Sequence, residues 1–101
     1  MKTILFKYDG VSSSESLETY AKEKIEKLFT RNDFLVRADV FFKTENTSNT
    51  DTGMIAAIRL SAPGPRLYAE ASKSNFRAAL SECVDQLRQQ LAKRTEILKS
   101  Y

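Results

Sequence analysis

The sequence predicts an α+β sandwich, a four-stranded mixed sheet with two parallel helices packed on one face, in the order β-α-β-β-β-α. Three observations predict it. Two segments repeat apolar residues at helical spacing, four segments alternate apolar and polar residues, and turn-forming residues separate them. Each helix has a single apolar stripe, which must be buried against something.

Lys2 to Tyr8 reads as the first strand, with Ile4, Phe6 and Tyr8 alternating with Thr3, Leu5 and Lys7. Asp9-Gly10 turns the chain, and the serines 12–14 offer helix caps. Ser12 and Glu15 have capping-box spacing, while Ser14 serves equally well as the cap. The first helix then runs to about Phe29 with Leu17, Ala21, Ile25 and Leu28 on its stripe, and Asn32-Asp33 ends it.

Val36 to Thr44 alternates cleanly and reads as a half-buried strand. Residues 45–52 contain no apolar residue and form a mobile loop on this reading. Gly53 to Ser61 is the third strand, Ala62-Pro63-Gly64-Pro65 a hairpin turn, and Arg66 to Ser72 the fourth strand. Ser74 or Asn75 caps a long helix to about Lys99, with Phe76, Leu80, Val84, Leu87, Leu91 and Leu98 in line. A right-handed β-α-β crossover makes the first two strands parallel, and the rest form an antiparallel meander.

The length of 101 residues suits one domain, and no apolar run approaches the length of a membrane span. The apolar stretch after Met1 is too short for a signal-peptide core. One cysteine, Cys83, cannot form an internal disulfide and reads as a small buried hydrophobe. A cytoplasmic protein follows. With no histidine, the commonest general base and metal ligand are missing, and no carboxylate pair occupies an apolar setting. The sequence therefore points away from an enzyme, a metal site, a cofactor or a small-molecule substrate.

The net charge of +3 permits a polyanionic partner without demanding one. Its distribution says more, because residues 73–101 hold six cations against three acids. On the first helix, Tyr20, Lys24, Lys27 and Arg31 share one flank, with Glu15, Glu18 and Glu26 on the other. On the second, Arg77, Arg88 and Lys99 share a flank, and Glu82, Gln86, Gln89, Gln90 and Lys93 lie opposite. Arg94 falls in line with the apolar stripe, where the helix is expected to have run past the sheet. Cations on one surface suit a phosphate backbone, and ordinary solvated flanks explain the same pattern. The sheet's free face offers Phe41, Ile55, Ala57 and Arg59; an exposed aromatic there suits base stacking, partial burial or a protein partner.

The whole chain resembles the ribosome hibernation-promoting factor family, which includes ribosome-associated inhibitor A. Residues 6–28 follow that family's first strand and helix without a gap. Leu67-Tyr68-Ala69-Glu70-Ala71 is similar to its last strand, and Asn75 to Lys93 to its second helix. The resemblance implies a topology akin to double-stranded RNA-binding domains. It also implies a place in the small ribosomal subunit, on ribosomal RNA between head and body, where the chain would occlude transfer RNA and message. Lys24, Lys27 and Lys93 match family positions that are usually basic and face this RNA. Gln86 and Gln89 stand where the family commonly has Lys or Arg, Arg77 where it has Tyr, and Arg88 where it is often acidic or neutral. The expected RNA-binding set is thus Tyr20, Lys24, Lys27, Arg31, Arg77, Arg88, Lys93 and Arg94. A single ribosome-binding domain over residues 1–101 is expected, without the C-terminal dimerisation domain of longer members. The alternative is a protein-interaction regulator of the same fold that does not bind the ribosome.

Overall fold

The computed structural model describes residues 2–45 and 52–99, with side chains as far as Arg94. The expected loop at 45–52 lies, but for its ends, outside the described residues. The elements are β1 (Thr3–Asp9), α1 (Glu15–Arg31), β2 (Arg37–Thr44), β3 (Met54–Ser61), β4 (Leu67–Lys73) and α2 (Phe76–Lys99). The sheet order is β1-β2-β3-β4. β1 and β2 are parallel, and β3 is antiparallel to both of its neighbours. The predicted fold class holds.

Local chemistry explains the boundaries. Ser14, in extended conformation, accepts a hydrogen bond from the Leu17 amide and caps α1, so the capping residue is Ser14 rather than Ser12. At the other end Asn32 satisfies two helix carbonyls, donating Nδ2 to Leu28 O at 2.9 Å and its amide to Phe29 O. This carries α1 two residues past the predicted end. Asn75 caps α2, its Oδ1 accepting from the Ala78 amide at 2.8 Å. Gly64 has φ +88, a conformation costly for any L side chain, and lets the β3–β4 hairpin close.

One face of the sheet meets both helices. Ala38, Val40 and Phe42 of β2, Ala56, Ile58 and Leu60 of β3, and Leu67, Ala69 and Ala71 of β4 are buried there. They pack with Leu17, Ala21, Ile25, Leu28 and Phe29 of α1 and Leu80, Cys83, Val84, Leu87 and Leu91 of α2. Fully buried Phe42 stacks on Tyr8 (5.3 Å between centroids) and meets Phe76 edge-on at 5.3 Å. It joins β1, β2 and the start of α2, and burial of such a ring is worth a few kcal/mol.

The other face departs from simple alternation at three buried residues, Ile55, Ala57 and Asp39. Asp39 points away from the helices yet is only 2% exposed. Arg37 covers it with hydrogen bonds of 2.9 and 3.2 Å, and Arg59 stands 3.6 Å from its other oxygen.

Candidate nucleic-acid interface

Both helices start at the same end of the sheet, so their flanks adjoin along a seam. Near the start the seam is lined by Ser14, Leu17, Asn75, Phe76 and Arg77. Tyr20 bridges its middle, its hydroxyl 3.3 Å from Ser81 Oγ. Lys24 Nζ and the Arg77 guanidinium sit over the Tyr20 ring, 5.5 and 5.0 Å from its centroid. Near the end a depression of about 360 Å³ is lined by Leu28, Arg31, Asn32, Arg88, Leu91 and Ala92.

Helical geometry dictates this grouping. At about 100° per residue, Tyr20, Lys24, Lys27 and Arg31 fall within roughly 60° of one another, as do Arg77, Ser81, Arg88 and Ala92. The spacing of α1 pairs Arg31 with Arg88 just as Tyr20 pairs with Arg77. Lys27, Arg31, Arg77 and Arg88 are exposed, and Lys24 is half-buried beside Tyr20. Five cations thus rim one groove. The Asp85 carboxylate, 3.5 Å from Arg88, makes the only ion pair with any of them among the described residues, and both partners are well exposed. Such a pair is weak and yields readily to a phosphate.

Two members of the expected set lie elsewhere. Lys93 is exposed but sits about 160° around α2 from Arg77, on the flank beside β4. It shares no surface with Lys24 and Lys27. Arg94 lies where α2 has passed the strand ends: it folds onto the β3–β4 hairpin and donates to Pro63 O at 3.1 Å and Pro65 O at 2.9 Å. The hairpin's carbonyls, lacking donors on the two prolines, are what hold it.

The family model described as Sigma 54 modulation protein / S30EA ribosomal protein matches residues 4–99. The chain belongs to this family. No curated protein matches it in sequence. Among solved structures, a ribosomal subunit interface protein from Coxiella burnetii is similar with a TM-score of 0.78 and 19% identity, covering 93% of this chain and 98% of that one. The N-terminal domain of Thermus thermophilus Protein Y is similar with a TM-score of 0.71 and 20% identity, covering 92% of this chain and 98% of that one. At these identities the likeness is one of fold.

For this S30EA-family chain, the structure gives two glutamines a task. Gln86 Nε2 donates to Glu70 O at 3.5 Å and Gln90 Nε2 to Tyr68 O at 2.9 Å. These are outward carbonyls of the edge strand β4, which an unblocked edge would leave open to another chain. Gln89 is exposed and makes no such bond among the described residues. The seam also contains Ser81, which the sequence reading did not single out. Its spacing of four from Arg77 was the available signal.

Proposed function

We propose that this S30EA-family chain binds the small ribosomal subunit through the α1–α2 seam, lying on ribosomal RNA in the transfer RNA and message channel and blocking it sterically. The observation that supports this reading is the convergence of Lys24, Lys27, Arg31, Arg77 and Arg88 on one groove. Their ammonium and guanidinium groups meet successive phosphates, and released counterions supply the driving force. Tyr20 fixes the spacing of the groove by joining the helices through Ser81, and it orients Lys24 and Arg77. Occupancy is the activity: no bond is made or broken, and no cofactor, metal or small-molecule substrate takes part. On this reading the chain acts in the cytoplasm, as a single domain over residues 1–101.

Co-sedimentation with small subunits tests it. Combined Lys24→Glu, Lys27→Glu and Arg31→Glu should abolish binding, while Lys93→Glu and Arg94→Gln should weaken it far less. With about five phosphate contacts, raising salt from 50 to 200 mM should cost roughly 10²–10³ in affinity. Unchanged binding by the triple variant would overturn the proposal.

The second reading, a regulator that binds a protein instead of the ribosome, rests on the solvent-facing side of the sheet, where Leu5 and Tyr68 are exposed large side chains. Recovery of one stoichiometric protein without ribosomal RNA would favour it.

A further inference from the structure

The sheet face opposite the helices holds a depression of about 470 Å³, within the size range of ligand pockets. Strand register explains its shape. Lys7, Phe41, Ala57 and Glu70 lie in one row across the four strands, and Leu5, Asp39, Arg59 and Tyr68 in the next. Ala57 is the smallest side chain of its row, so the sheet is shallowest there, between Phe41 on one side and Tyr68 and Glu70 on the other. Its floor, Ile55 and Ala57, is apolar and almost fully covered.

The walls combine rings with cations. Lys7 Nζ and the Arg59 guanidinium each stand 5.5 Å from the Phe41 centroid. Arg59 is held only loosely, by an ion pair with Asp39 at 3.6 Å. Asp39 takes its close hydrogen bonds from Arg37, and Arg59 makes no hydrogen bond among the described residues, its Nε being buried without a partner. Lys43 reaches the same rim, 3.8 Å from Glu70 in an exposed pair that is easily exchanged. The site therefore offers stacking surfaces, three cations and two carboxylates, Asp9 and Glu70, around an apolar floor.

We infer that this face is a second RNA-binding surface, which takes a nucleotide of a single-stranded RNA segment. A base in the depression lies between Phe41 and Tyr68, its amino or ring N–H groups can donate to Glu70 beside the Tyr68 hydroxyl that already does so, and the flanking phosphates meet Lys7, Lys43 and Arg59. An acidic peptide would satisfy the cations but would leave the Phe41 and Tyr68 rings without a planar partner, which favours the nucleotide. The surface lies on the other side of the sheet from the helix seam, so the inference does not depend on the function proposed for that seam.

The test is titration of the isotopically labelled full chain with a single-stranded hexaribonucleotide, followed by amide shifts, with adenosine monophosphate, duplex RNA and an acidic hexapeptide as separate arms. The inference expects shifts around Lys7, Phe41, Ala57, Arg59 and Glu70 with the single strand. It expects Phe41→Leu and Arg59→Gln, each checked as folded by its own spectrum, to weaken that binding at least about tenfold. It expects the Lys24, Lys27 and Arg31 triple reversal to leave those shifts in place. Shifts confined to the helix seam, or unaltered affinity in both folded variants, overturn it. So does saturation of the face by the peptide in preference to the strand, or by the mononucleotide as tightly as by the hexamer.

Discussion

At the scale of single residues, two buried groups make the firmest predictions. Burial pushes the Asp39 carboxyl up, but the hydrogen bonds and charge of Arg37, with the charges of Arg59 and Lys7, outweigh it and hold the group below the usual carboxylate range. A carboxylate with a depressed native pKa stabilises the fold above its unfolded value, near pH 3.9, and that contribution disappears as pH falls through the native value. Asp39→Asn should therefore lower stability at pH 7 by about 1–3 kcal/mol, with Arg37 and Arg59 left uncompensated. Urea midpoints measured from pH 7 to pH 2 should show a smaller acid loss for the variant than for the parent. Cys83 is fully buried, its thiol donates to Ala56 O, and burial raises its pKa to about 12. It should resist thiol reagents at pH 8 until the chain is unfolded. The buried Cys83 was legible from its residue type, a lone cysteine in a chain with no histidine to activate it. Asp39 was not, because alternation assigns a side chain to a face but cannot say that two arginines will close over it.

At the scale of elements, caps and edges decide where structure stops. Ser14→Ala removes the acceptor for the Leu17 amide and should cost about 1 kcal/mol, read from a chemical-denaturation midpoint. Gln86→Ala with Gln90→Ala leaves the two outward β4 carbonyls to water or to another strand. The double variant should lose about 1 kcal/mol and associate more readily at high concentration, which light scattering would detect. Periodicity placed all six elements in order, with ends shifted by one or two residues. The longest shift, at the end of α1, came from Asn32, which extends the helix by bonding its last carbonyls. The roles of Gln86, Gln90 and Arg94 were hidden for a different reason: each bonds a backbone carbonyl between 16 and 31 positions away in the chain. No local pattern reports such a partner.

At the scale of the whole molecule, the sheet separates two surfaces of different character. One is the seam between parallel helices, rimmed by five cations and bridged by Tyr20 and Ser81. The other is the shallow face around Ala57. Residue spacing alone identified each helix's basic flank, and the crossover of the β-α-β unit is what sets the two flanks side by side. Spacing already placed Lys93 on the flank opposite Arg77 and Arg88; the family resemblance, not spacing, put it among the RNA-facing residues. The proposed function makes the seam the ribosome-facing side. A map of the chain bound to small ribosomal subunits checks this. Lys24, Lys27, Arg31, Arg77 and Arg88 should lie against ribosomal RNA phosphates within the channel between head and body. A bound chain whose helix seam faces solvent, or one seated outside that channel, would contradict it.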